Sequence, residues 1–156
     1  MNLQVRGVVN APAAEVWKVL GAEFTDIASW FSVVDYSKEV GEEVVPDTVV
    51  IDSNAPVIGR YTESKVIKAT EVFTYYSDSE KTFEFEAIGV PRFVMSSTKN
   101  RTSVNELSPM RSEVNIEVNI EFNHVFKIIL APVMKKRMNN MFIKLIKELS
   151  EYLEKK

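Results

Sequence analysis

Glu113-Val114-Asn115-Ile116-Glu117-Val118-Asn119-Ile120-Glu121-Phe122 alternates polar and apolar residues without a break. Successive side chains of a strand point to opposite faces. Val114, Ile116, Val118, Ile120 and Phe122 therefore share one face, and Glu113, Asn115, Glu117, Asn119 and Glu121 share the other. One face suits a core and the other suits water, which is how antiparallel sheets read. After Asn123 the period changes. Met134, Met138, Met141, Phe142, Leu145, Leu149 and Tyr152 recur three and four residues apart, the stripe of an amphipathic helix. Lys135, Lys136, Lys144, Lys147 and Glu151 carry its polar side. A half-apolar strand leading into a half-apolar helix predicts that the helix lies against the sheet.

The reading extends backward from there. Residues 93–107 form a long strand, joined to 113–122 by the turn Ser108-Pro109-Met110-Arg111. Residues 82–87 alternate, with Phe83, Phe85 and Ala87 on one side. Ser77-Asp78-Ser79-Glu80 reads as the turn before them, and 66–76 and 59–62 as hairpin partners. Residues 41–56 hold Pro46, Asp47, Asp52, Ser53, Asn54 and Pro56, a loop with room for a short strand at 49–51. A strand is expected at 36–40. At the start, Leu3, Val5 and Val9 alternate with Gln4 and Arg6, a further half-buried strand.

Two short helices fit between the first strand and the rest. Pro12 suits a first helical turn, and Val16, Val19 and Leu20 share a face up to a stop at Gly21. Asp26 is placed to cap a second helix, IASWF, ending near Phe31. Strands in a run with helices at the ends predict an α+β fold in one domain, 1–156.

Composition narrows the function classes. The chain is 46% hydrophobic and 26% charged, which is globular rather than disordered. It has no cysteine, which excludes disulfides and thiolate metal sites, and its one histidine cannot build a zinc site without carboxylates. No carboxylate-rich loop has calcium spacing, and no nucleotide-binding glycine motif, GxSxG or HExxH occurs, so no metal and no cofactor are expected. A net charge of -3 weighs against a nucleic-acid partner. Apolar runs such as 128–131 fall far short of the roughly 20 residues a membrane span needs, so no stable membrane insertion is expected. The opening MNLQVRGVVN has no apolar targeting core, which predicts a cytoplasmic location.

The sequence resembles the START/Bet v 1-like superfamily (SRPBCC), the polyketide cyclase/dehydrase and lipid transport group. The resemblance rests on APAAEVWKVL followed by Trp30-Phe31, the Gly59-Arg60 strand, the TEVFTYYSDSEKTFEF hairpin, Gly89-Val90-Pro91, Ser112-Glu113-Val114 and the amphipathic last helix, in that order. It implies a helix-grip fold: a curved antiparallel sheet of about seven strands wrapped around the last helix, enclosing a cavity. It implies less about activity, because such folds serve carriers, cyclases and interaction domains alike.

Within that frame several residues are candidates, each with a plainer alternative. Glu71 shares a face with Ala69, Phe73 and Tyr75. If that face turns inward, the cavity holds a carboxylate, paired with Arg60 as buried charge requires. The opposite parity puts Val72 and Thr74 inside. Glu71 and His124 are the candidate acid or base groups; for His124, a base or pH switch near the cavity mouth stands against the simpler reading of a loop residue touching solvent or capping a backbone group. Asn100 and Thr102 lie in the middle of the long strand, facing either cavity or water. Resemblance places Phe93, beside Arg92, at a cavity-flanking loop, with Trp30, Phe31 and Tyr36 on the other side. Phe83 and Phe85 face the same space, as do Met134, Met138, Met141, Phe142 and Leu145 of the helix, which serve a core equally well. Lys127, Lys135, Lys136 and Arg137 form a basic cluster that suits anionic lipid or a nucleic-acid partner, with a plainly solvated helix start as the simpler reading.

The expected function is binding or transport of a small hydrophobic ligand: a lipid, fatty acid, quinone or polyketide-like molecule. The alternatives are a polyketide cyclase/dehydratase-like enzyme using the same cavity, or a protein-interaction module.

Overall fold

The computed structural model describes residues 1–45, 54–65 and 68–156. Seven strands form one antiparallel sheet: β1 (Asn2–Val9), β2 (Tyr36–Val40), β3 (Gly59–Glu63), β4 (Lys68–Ser77), β5 (Thr82–Ile88), β6 (Met95–Ser108) and β7 (Arg111–Phe122). Their order is β1-β7-β6-β5-β4-β3-β2, a meander from β2 to β7 with β1 added beyond β7. Helix α2 (His124–Glu154) crosses the curved sheet and packs on β1 and β7. This is the α+β helix-grip fold that the sequence predicts. The strand expected at 49–51 and residues 66–67 of the expected 66–76 strand lie outside the described residues.

The alternation of β7 fixes the inner face of the whole sheet. Val114, Ile116, Val118 and Ile120 are buried. Directly paired residues of neighbouring strands point to the same face. Val118 pairs with Asn100, Asn100 with Phe85, and Phe85 with Phe73. Ile116 pairs with Thr102, and Thr102 with Phe83. All of these point inward. Glu71, two residues before Phe73, follows, and so does Arg60, which pairs with Glu71. Residues 69, 71 and 73 therefore have the inward parity.

A bulge then breaks that parity. The β4–β5 register shifts between Phe73 and Tyr75. The extra residue, Thr74, turns Tyr75 to the outer side and brings Tyr76 inside, as a bulge does. Tyr75 donates to Glu80 Oε2 at 2.6 Å, while Tyr76 is 2% exposed.

The segment after β1 differs from two regular helices. Helix α1 covers Ala13–Trp17 and continues as a π-helical turn, Lys18–Ala22, so Gly21 lies inside the turn rather than after it. The second helix is a 3₁₀ helix, Phe24–Ser29, and Asp26 lies in its first turn without capping it. Both short pieces are set by anchors rather than caps: Val16, Val19, Leu20, Phe24 and Ile27 are buried. Tertiary burial outweighs local helix preference in such short segments.

Two glycines permit close approach. A Cβ on Gly59 would lie 2.2 Å from the Glu71 carbonyl oxygen, so only glycine lets β3 close on β4 there. A Cβ on Gly7 would lie 2.7 Å from Ile146 Cγ2, where α2 crosses β1.

Aromatic rings fill one end of the space between sheet and helices. Phe24 lies 4.3 Å from Phe73 and 5.4 Å from Phe83, and Trp17 lies 5.2 Å from Tyr76. Asp78 Oδ1 accepts from Trp17 Nε1 at 2.8 Å and from the Tyr76 hydroxyl at 3.1 Å. Burial, followed by the nearby Asp78 charge, pushes the Tyr76 phenol pKa up, so it stays a hydrogen-bond donor.

Candidate functional site

Beyond the aromatic end, sheet and helix separate and leave a cavity of about 440 Å³. Its floor is Leu20, Phe24, Phe83 and Phe85. The sheet wall adds Ile116, Val118 and Ile120, and α2 adds Met134, Met138, Met141, Phe142 and Leu145. Ile27, Trp30, Phe31, Val33 and Val34 close one side, and Val90 and Met95 the other. The exposed lining residues Lys68, Lys99 and Arg137 mark the mouth.

Against this apolar lining stand a few polar side chains. Arg60 and Glu71 project from directly paired positions of β3 and β4. Arg60 Nε lies 2.5 Å from Glu71 Oε2, and the two side chains are only 10% and 16% exposed. Arg60 Nη1 also donates to the Phe24 carbonyl at 2.8 Å, and its guanidinium lies 3.8 Å from the Phe24 ring centre. The charge is thus met by a carboxylate, a carbonyl and a ring face, the pairing that buried charge needs. The arrangement also ties the 3₁₀ helix to the sheet.

Asn100 and Thr102 form the second polar strip. Thr102 Oγ1 donates to Asn100 Oδ1 at 3.1 Å, and both residues are buried. With its oxygen so engaged, Asn100 has its amide NH₂ to offer toward the cavity. Trp30 stacks on Tyr152 with ring centres 6.3 Å apart, and its indole Nε1 is buried without a hydrogen-bond partner among the described residues.

The loop at 31–34 is held by a clamp. Glu148 of α2 accepts from the Ser32 backbone N–H at 2.8 Å and from the Ser32 hydroxyl at 2.7 Å. Burial pushes the Glu148 carboxyl up, but the two Ser32 bonds and the Lys144 ammonium outweigh it, and its pKa falls below the ordinary value. The attachment ties the loop that carries Phe31, Val33 and Val34 to α2.

Sequence reasoning nominates both true neighbours of the cavity and residues that lie elsewhere. Trp30, Arg60, Glu71, Phe83, Phe85, Asn100, Met134, Met138, Met141, Phe142 and Leu145 all line it. Five others do not. Tyr36 is 52% exposed on the edge strand β2. Phe73 points inward but is fully buried behind Phe24. Tyr75 is turned outward by the bulge. Phe93 is 72% exposed and touches Phe126. His124 begins α2, is exposed to solvent and is not part of the cavity lining. Among the described residues, no group of three or more His, Asp or Glu side chains is placed to hold a metal.

Several wall residues escape sequence nomination. Ile116, Val118 and Ile120 read as core, and alternation cannot tell core from cavity wall. Val33, Val34 and Met95 lie in segments without periodicity. The Ser32–Glu148 clamp joins residues 116 apart in sequence, and no local pattern signals it.

The arrangement can be set beside known proteins. The family profile described as "Polyketide cyclase / dehydrase and lipid transport" matches residues 2–154. No curated protein matches the sequence. Solved structures share the fold at low identity. A START superfamily protein from Mycobacterium smegmatis aligns over 99% of this chain and 97% of its own, with 12% identity and a TM-score of 0.74. Norcoclaurine synthase from Thalictrum flavum, solved with dopamine and hydroxybenzaldehyde, aligns over 99% and 87%, with 9% identity and a TM-score of 0.75. The di-domain ARO/CYC BexL, from the BE-7585A biosynthetic pathway, aligns over 96% of this chain but 46% of its own, with 10% identity and a TM-score of 0.73. A profile that spans nearly the whole chain, on a sheet that grips a long terminal helix, makes this protein a member of the polyketide cyclase/dehydrase and lipid transport family of the START/Bet v 1-like superfamily.

Proposed function

We propose that this protein binds a small hydrophobic molecule between the sheet and α2 and carries or presents it without changing it. The observation behind this reading is the cavity itself: about 440 Å³, walled by aliphatic, aromatic and methionine side chains. Ligand pockets are of this kind, roughly 300–1,000 Å³, largely apolar, with a few polar groups that fix orientation. Methionines on the helical wall adapt to varied apolar shapes.

The polar groups narrow the ligand. The NH₂ of Asn100 suits a carbonyl or hydroxyl oxygen deep in the cavity. Arg137 at the mouth suits an anionic head group. A fatty acid or a polyketide-like acid with an acyl body fits both better than a fully apolar molecule. The Arg60–Glu71 pair is engaged with itself and with the Phe24 carbonyl, which favours a structural wall over a proton-transfer site.

Native mass spectrometry of the purified protein tests this, followed by displacement of a fluorescent fatty-acid analogue. The expected result is a co-purifying acyl ligand and saturable displacement. Thr102→Trp and, from the opposite wall, Met138→Trp should abolish uptake while leaving thermal unfolding cooperative. Uptake unchanged in both, or no ligand and no probe binding in the wild type, would overturn the reading.

A cyclase-like enzyme in the same cavity is the second reading. One observation favours it: the Glu71 carboxylate lies in the cavity lining, where it could reach a bound substrate. Glu71→Gln that retains ligand but loses turnover would establish it.

A further inference from the structure

The first turns of α2 present an apolar stripe to solvent rather than to the sheet. Val125, Ile128, Ile129 and Val133 recur at three- and four-residue spacing and are 51–79% exposed. Phe126, Leu130 and Met134 of the same stretch are each half-buried. Phe93, 72% exposed, extends the outer stripe from the loop beside it. That loop is tied to the helix: Asn123 donates through its backbone N–H to the Val94 carbonyl at 3.0 Å and through Nδ2 to the Arg92 carbonyl at 2.8 Å. Phe93 and Phe126 stack edge to face at 6.2 Å. The patch is held in place by these contacts.

Charge decides what covers it. Between Glu121 and Glu148 the sequence has no acidic residue, yet it holds Lys127, Lys135, Lys136 and Arg137 in the region of the stripe, within a chain of net charge -3. Lys127, Lys135 and Lys136 are exposed and form no ion pair with a described residue. Arg92 adds a cation beside Phe93. A second copy of this chain on the stripe would bring like charges together. A convex helical ridge with isoleucines along it and lysines at its flanks is instead the form that lies in a bilayer interface. No helix of the described residues is long and apolar enough to cross a membrane, so contact is at the surface.

We infer that this face, Phe93 with Val125, Ile128, Ile129 and Val133, docks the protein on an anionic lipid bilayer. Met134, Arg137 and Met138, one to two turns further along α2, line the cavity. Docking therefore brings the cavity mouth to the lipid surface, where an acyl ligand could pass without crossing bulk water. The inference rests on the exposed stripe and its charge, and does not require the cavity to hold a ligand.

Vesicle flotation tests it, using full-length protein with vesicles of phosphatidylcholine alone and with phosphatidylserine added. Binding is expected only to the phosphatidylserine vesicles, and it should weaken as salt rises. Lys135→Glu with Lys136→Glu should lower partitioning by about tenfold or more, because each lysine near an anionic surface contributes roughly a factor of five. Ile128→Ser with Ile129→Ser should lower it comparably, while leaving thermal unfolding and fatty-acid displacement unchanged. No binding to phosphatidylserine vesicles would overturn the inference, as would binding that both double variants retain. Light scattering distinguishes the competing occupant: a dimer that Ile128→Ser/Ile129→Ser disperses, with no vesicle binding, assigns the stripe to a second copy instead. Loss of vesicle binding leaves ligand uptake intact, so the two proposals fail separately.

Discussion

The two halves of α2 share a sequence style and differ in what they meet. In the C-terminal half, Phe142, Leu145, Ile146 and Leu149 are buried, and Leu149 is fully enclosed. In the N-terminal half, Val125, Ile128, Ile129 and Val133 face solvent, while Met134 and Met138 face the cavity. Both halves are rich in large apolar residues at helical spacing. The difference lies in the sheet, which bears directly on one half and stands off from the other. Apolar periodicity thus predicts a helix with a sticky face and says nothing about whether that face finds a partner. Pro132 lies in the uncovered half. It removes the hydrogen bond to the Ile128 carbonyl, at a point where water can take the bond's place.

The sharpest way to break the comparison is a matched pair of truncations. Leu149→Ala should cost about 4 kcal/mol, toward the upper end for a fully enclosed leucine. Ile128→Ala should stay within about 0.5 kcal/mol, as exposed substitutions do. Urea unfolding of both variants measures this. Similar costs would mean that the N-terminal half is packed after all.

The next effect concerns the wall that faces the uncovered half. Arg60→Ala should destabilise by about 3 kcal/mol, because it leaves the Glu71 carboxylate without its partner. Arg60→Met combined with Glu71→Leu should recover most of that loss, since an apolar pair needs no charge compensation. A double variant as unstable as the single one would show that the pair holds the fold by more than mutual neutralisation.

The smallest expected effect lies at the clamp where the covered half of α2 grips the 31–34 loop. Glu148 titrates below its ordinary 4.5 in the folded chain. A depressed carboxylate contributes stability at pH above its unfolded value. That contribution is lost as pH falls through the lower folded value. Ser32→Ala should therefore cost about 1 kcal/mol near neutral pH. The cost should shrink to nothing in acid, where Glu148 is protonated in both variants. A pH series of thermal melts checks this. A cost that persists in acid would assign Ser32 a role independent of Glu148.

Much of the architecture can be read from particular residues. The alternation of 113–122 and the switch to helical spacing after Asn123 are strong because period reports geometry directly. The helices after β1 are read less well: Pro12 does open the first, but Gly21 suits a stop and Asp26 a cap, and the folded chain uses neither in that way. The candidate site shows the same limit. Alternation groups Glu71, Phe73 and Tyr75 on one face, and the bulge at Thr74 removes Tyr75 from that group. Nothing local at Thr74 signals the extra residue, because bulges answer to the partner strand.

By itself, the sequence determined the class of the fold: strands with one apolar face, a long amphipathic helix, no cysteine and no metal-binding motif. These follow from side-chain periods and residue chemistry, which are local. Only the tertiary structure decided that Glu71 and Arg60 meet inside, that Asn100 faces the cavity, and that half of the last helix is left without the sheet beneath it. Those facts depend on strand register and on the curvature of seven paired strands. Register carries the parity of β7 across Asn100, Phe85 and Phe73 to β4, and no residue encodes it alone.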